Sequence, residues 1–138
     1  MPYSPLLVKP MREELTAVGL RELLTAADVD TFMNEKEGTS FLVVNSVCGC
    51  AAGMARPAVR VALENGARPD RTATVFAGQD LEATAQARSY MPQIPPSSPS
   101  MALFKDGELV FFVPRHRIEG RDAESVAQDL TAAFEEHC

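Results

Sequence analysis

Apolar and polar residues along this chain fall into blocks whose period changes from segment to segment. Met11, Leu15 and Val18 recur at i, i+4 and i+7, which predicts a first amphipathic helix ending at Gly19. Arg21–Leu24 reads as a short strand. Thr25-Ala26-Ala27-Asp28 has the form of a capping box with Asp in place of Glu, and Val29, Phe32 and Met33 give the inner face of the helix it starts. That helix stops near Gly38. Residues Ser40–Ser46 are nearly all apolar or β-branched, the pattern of a strand buried on both faces. Ala55, Ala58, Val59, Ala62 and Leu63 restore the helical period, with Pro57 inside it as a kink and Gly66 closing it. Thr72–Ala77 is the next strand. Asp80 caps a helix to about Met91, and a proline-rich loop follows. Met101–Phe104 and Glu108–Val113 flank Lys105-Asp106-Gly107, a strong hairpin signal. The last helix starts at about Asp122, with Val126, Leu130, Ala133 and Phe134 facing inward. After the first helix the order is β–α–β–α–β–α–β–β–α. This predicts an α/β fold with a parallel core and an antiparallel edge, one domain over residues 1–138 with a helical extension at about 1–19.

Bulk properties narrow the function. The 138 residues carry a formal net charge of −6 and are 46% hydrophobic. That balance argues against nucleic acid or an anionic membrane as the main partner. No apolar run approaches the roughly 20 residues of a spanning helix, and the start, Met1 to Pro10, makes a poor signal peptide. Three cysteines are too few and too unevenly placed for a secreted disulfide scaffold. A reducing cytoplasm fits best.

The chemistry concentrates at Val47-Cys48-Gly49-Cys50-Ala51, where a strand gives way to a helix. Helix N-termini present unpaired N–H groups and partial positive charge, which favour a thiolate over a thiol. Cys48, nearer the strand end, is the expected nucleophile and the more exposed of the two. A free cysteine elsewhere more often ends as a buried apolar side chain, but a pair at such a junction does not fit that role. Cys50 is either a resolving cysteine or a bystander. An i, i+2 disulfide closes a very small ring, for which Gly49 is expected to supply a bent backbone. Such a bond should be easily reduced and transient. The competing chemistry is metal binding, with His116, His137 and Cys138 completing a set of soft ligands. Their spacing is not metal-like, and no metal or other cofactor is expected.

The segment Ser98-Pro99-Ser100-Met101-Ala102-Leu103-Phe104-Lys105-Asp106-Gly107-Glu108 resembles the part of thioredoxins in which a cis-proline faces the active-site sulfur. The departures are equally specific. The motif is Cys-Gly-Cys rather than Cys-x-x-Cys, Val47 stands where a Trp would, and Leu42 stands where thioredoxins bury an acid. The whole chain is similar to the bacilliredoxins, through Val44–Gly53, Val75–Asp80, Pro96–Leu103 and Pro114–Gly120. That resemblance implies a thioredoxin-like fold with a central mixed sheet. It implies removal of bacillithiol, or a similar low-molecular-weight thiol serving as co-substrate, from S-thiolated cytoplasmic proteins. A weak disulfide reductase or isomerase activity is the alternative, and a non-catalytic metal-binding or thiol-holding module is the alternative of another class. It places Pro99 as the cis-proline, with Gly49 and Ser98 beside the sulfur. Arg115 and His116 follow the hairpin's second strand, which returns to the active-site end. A cation there would stabilise the thiolate and attract a carboxylate-bearing thiol, where the bland reading is a solvated turn. A monomer or weak homodimer is expected.

Overall fold

A computed structural model describes residues 2–138. Met1, where the expected domain begins, lies outside the described residues. The elements in chain order are α1 (Pro5–Thr16), β1 (Arg21–Glu22), α2 (Ala26–Asn34), β2 (Thr39–Asn45), a π-helical turn (Ala51–Ala55) running into α3 (Arg56–Leu63), β3 (Arg71–Phe76), α4 (Leu81–Ser89), β4 (Ser100–Lys105), β5 (Glu108–Val113), a 3₁₀ turn (Arg115–Arg117) and α5 (Ala123–His137). The sheet order is β1-β3-β2-β4-β5. β1 and β2 run parallel to β3, whereas β4 is antiparallel to both β2 and β5. The expected mixed sheet with its antiparallel hairpin is therefore present.

Strand β2 sits at the centre and is buried along its whole length. The two-residue period sends Phe41 and Val43 into a core shared with α1, α3 and α5, and Leu42 and Val44 into a second core shared with α2 and α4. This explains why its sequence has no polar alternation. At the hairpin tip, Asp106 and Gly107 both take positive φ, 51° and 85°. Such a turn matches the strands' own twist. Val110 is the extra residue of a bulge, since Leu103 pairs with Phe111 and Phe104 with Leu109.

The caps expected at Thr25 and Asp122 form. The Thr25 hydroxyl accepts from the Asp28 N–H while the Asp28 carboxylate accepts from the Thr25 N–H. Asp122 accepts from the Ser125 N–H at 2.7 Å. Asp80 occupies the cap position of α4 but does not cap it. Its carboxylate is taken by Arg12 of α1 in a forked pair at 2.7 and 2.9 Å. A bidentate guanidinium outcompetes a neutral N–H for a carboxylate.

α1 begins at Pro5, six residues before the apolar spacing reveals it, because Pro5 and Pro10 mask its first half. Ser4 caps it and Pro5 fits the first turn, where no N–H is needed. α1 is also more than an extension. Arg12 binds Glu22 and Asp80, and Glu14 binds Arg56.

Below the sheet, Asp70 latches the start of β3 to β2. Its carboxylate accepts from the Thr39 N–H at 2.9 Å and from the Thr39 hydroxyl at 3.2 Å. These bonds, the backbone one foremost, hold its pKa below the ordinary carboxylate value. A depressed folded pKa contributes stability above the unfolded value, about 3.9, which is lost as pH falls through the folded one. Asp70→Asn is expected to lower Tm at pH 7 and to flatten the decline of stability on acidification below about pH 5. Thermal melts between pH 7 and pH 3 check this, and parallel curves for the two proteins would contradict it.

Candidate active site

The Cys48 carbonyl accepts from the N–H groups of Ala51 and Ala52 at 3.0 and 3.2 Å, and Gly49 and Cys50 already have helical geometry. Cys48 is thus the residue at which the strand-to-loop chain enters the helix, the end at which a helix carries partial positive charge. It is half-buried, whereas Cys50 is 8% exposed. The order of exposure is the one expected from the sequence.

The two sulfurs are joined as a disulfide, with Cα atoms 5.5 Å apart. Gly49 does not take a glycine-only conformation, which corrects the expectation of a specially bent backbone: it is absent from the residues with positive φ. Helical geometry by itself sets Cα atoms two residues apart at about 5.4 Å, inside the range a disulfide spans. The helix supplies the bend. Gly49 is exposed, and a Cβ built on it meets nothing within 4 Å, so its side is open to an incoming disulfide.

Pro57 does not kink a regular helix. It lies in the first turn of α3, and the preceding turn widens into the π-helical Ala51–Ala55, with the Arg56 N–H donating to the Ala51 carbonyl. Proline has no N–H and excludes the carbonyl four residues earlier, which a wider turn accommodates.

Behind the pair lies a charged group that motif reading passes over. Arg56 is 3% exposed. Its guanidinium donates to the Ser46 carbonyl at 2.8 Å, to Asn45 Oδ1 at 3.0 Å and to Glu14 at 3.0 Å. Asn45, also buried, donates to the Met11 carbonyl and accepts from the Ser46 N–H. The Ser46 hydroxyl in turn accepts from the Cys48 N–H. Arg56 therefore ties α1, the end of β2 and the cysteine loop together. The signal was available in the sequence: position 56 lies at i, i+3, i+7 with Val59 and Leu63, on the apolar face.

A cleft of about 300 Å³ opens beside the disulfide. Cys48, Ser98, Arg115, Arg88 and Tyr3 are in its wall, with Ser46, Val47, Ala77 and Gly78. The Ser98–Pro99 peptide is cis and Pro99 is buried. The Arg115 N–H donates to the Ser97 hydroxyl at 3.2 Å, which docks the segment after β5 on the proline loop. His116 is exposed and does not line the cleft. Tyr3 and Arg88 were not among the expected site residues. Tyr3 is held there by paired hydrogen bonds with the Gln79 amide. Leu42 is fully buried among apolar side chains, so the acid of thioredoxins has no counterpart at that position.

Among the described residues, no three His, Cys, Asp or Glu side chains converge as metal ligands would. Cys138 lies near Thr39, Asp70 and Lys105, at the opposite end of β2 from Cys48. Six residues of strand separate the two ends, roughly 20 Å. Partial desolvation pushes its thiol pKa up. Cys138→Ser is expected to leave the rate of adduct transfer unchanged and to remove only disulfide-linked dimers formed on oxidation. A peptide map showing a Cys48–Cys138 link in oxidised monomer would contradict this.

The comparisons with known proteins agree with this geometry. A family model described as disulphide isomerase matches residues 3–138. The chain is 56% identical over 137 residues to a bacilliredoxin of Bacillus licheniformis, covering 99% of this chain and 95% of the relative. It is 55% identical to a bacilliredoxin of Salinibacter ruber, covering 100% and 82%, and 52% identical to one of Staphylococcus aureus, covering 99% and 95%. The chain belongs to the bacilliredoxin family. Among solved structures, a thioredoxin of Fasciola hepatica superposes with a TM-score of 0.57 at 20% identity, covering 86% of this chain and 100% of that one. A mutant thioredoxin of Halobacterium salinarum gives 0.59 at 19%, covering 87% and 91%. The fold is thioredoxin-like. A bacilliredoxin with a Cys48–Cys50 pair on this fold is a thiol–disulfide oxidoreductase. No helix of the described residues is long and apolar enough to cross a membrane.

Proposed function

We propose that this bacilliredoxin removes low-molecular-weight thiols, bacillithiol foremost, from S-thiolated proteins of the cytoplasm. The supporting observation is the unequal exposure of two sulfurs within bonding reach: Cys48 opens on a cleft, and Cys50 lies behind it. The Cys48 thiolate attacks the small-thiol sulfur of a protein mixed disulfide. The old S–S bond breaks, the protein leaves as its thiolate, and the small thiol becomes bonded to Cys48. The Cys50 thiolate then attacks Cys48 Sγ, releases the small thiol and forms the Cys48–Cys50 disulfide. An external thiol reductant restores the dithiol.

Ser98, Pro99, Gly49 and Arg115 surround the sulfur in this reading, and Arg115 attracts an acidic adduct. Intact mass after incubation with bacillithiolated, glutathionylated and coenzyme A-modified test proteins distinguishes the possibilities. Transfer of the bacillithiol adduct to Cys48 is the expected result. Loss of protein–protein disulfides without adduct transfer would favour a general reductase or isomerase, the reading that the family model's description favours.

A further inference from the structure

The cleft beside the disulfide has a charge pattern opposite to that of the whole chain. The chain has 19 acidic residues against 13 Lys and Arg, yet the cleft wall contains two guanidiniums, Arg88 and Arg115, and no carboxylate. Arg88 reaches in from α4, is half-buried and makes no ion pair among the described residues. Its side-chain hydrogen bond, to the Ser97 carbonyl, is long at 3.4 Å. Desolvation pushes its pKa down, the mark of a cation without a counter-charge. Arg115 pairs with Glu119 at 3.2 Å, but both side chains are exposed and such a surface pair is readily exchanged for another anion.

A guanidinium is a fork shaped for a carboxylate. On the proposed reaction, the group left on Cys48 is the small thiol and the client protein departs. The small thiol is what remains tethered in the cleft, whose volume suits a small molecule. We infer that Arg88 and Arg115 together form a receptor for the carboxylate charge of the departing thiol and select acidic thiols over neutral and cationic ones. This rests on the adduct-transfer reading above.

The test uses a single-cysteine peptide carrying mercaptosuccinate, mercaptoacetate, 2-mercaptoethanol or cysteamine in mixed disulfide. The rate of adduct loss to the wild-type enzyme is divided by the rate with dithiothreitol, which removes differences in intrinsic reactivity. The expected order is mercaptosuccinate, mercaptoacetate, mercaptoethanol, cysteamine, with about tenfold between the first and third, and less at high salt. In the Arg88→Gln/Arg115→Gln double variant that ratio, taken within the variant, should fall close to one, and Arg88→Lys should retain part of it. A flat series overturns the inference. So does a preference that follows an acidic residue placed beside the peptide cysteine rather than the charge on the adduct, because the cleft then reads the client. If the enzyme removes none of the adducts, the adduct-transfer reading fails, and binding decides the cleft separately. An NMR titration of the disulfide form with S-methylmercaptosuccinate should shift the Arg88 and Arg115 Nε–H signals saturably, and unmoved signals overturn the receptor.

Discussion

Replacing Cys48 by serine is expected to abolish adduct transfer, a loss of at least about a thousandfold. Replacing Cys50 by serine should leave transfer intact and trap the mixed disulfide on Cys48. The two outcomes differ because the two sulfurs have different access and different work. Cys48 is half-buried on the cleft and stands where the helical N–H groups begin. Its thiolate is favoured by those N–H dipoles, and a bulky protein disulfide can reach it. Cys50 is 8% exposed and meets only what is already on Cys48. Its neighbour's Cα is 5.5 Å away, within reach for the second exchange. Intact mass of each variant after reaction with a thiolated protein, followed by peptide mapping, checks both. Transfer that survives in Cys48→Ser and disappears in Cys50→Ser would reverse the roles.

Arg56→Ala is expected to lower stability by on the order of 3 kcal/mol, or about 10 °C in Tm, and to slow transfer roughly tenfold. The substitution takes the guanidinium donor from the buried Ser46 carbonyl and one of two donors from the Asn45 side-chain oxygen, which keeps the Ser46 N–H. It also frees Glu14 and with it one tie of α1. Glu14 is 42% exposed, so Glu14→Gln should cost far less. Arg56→Lys keeps the charge but not the fork, and should fall between the wild type and Arg56→Ala. Thermal melts give the stability. Thiolate absorbance against pH gives the Cys48 pKa, which a purely structural role for Arg56 would leave in place. An unchanged melt and an unchanged rate would show that the network does not hold the cysteine loop.

Legibility followed the range of the forces involved. The Asp106-Gly107 turn, the Thr25–Asp28 box and the Asp122 cap were all readable, because each is closed within about four residues. The all-apolar β2 was readable because burial on both faces removes alternation. Asp80 reads locally as a cap, whereas the partner its carboxylate takes, Arg12, lies 68 residues away. Arg56 was overlooked because a charge on an apolar stripe is costly unless distant groups satisfy it, and those groups lie on β2 and α1. Pro57 predicts a kink, but whether the chain bends or widens depends on the packing around the cysteine loop. At the site, Cys48, Ser98 and Arg115 were found from motif and order. Tyr3 and Arg88 were not, since no local pattern marks either.

By itself the sequence determined the elements, their order and the place of sulfur at a strand–helix junction, because propensity, capping and hydrophobic period act between near neighbours. Tertiary structure alone decided the rest. It brought Arg88 of α4 and Tyr3 before α1 to the cleft wall that Cys48 and Arg115 share. It also set Cys138 at the far end of β2. Those placements depend on the sheet order β1-β3-β2-β4-β5, which sets residues far apart in sequence beside one another. The charge that a substrate meets there comes from that juxtaposition, in a chain whose net charge is negative.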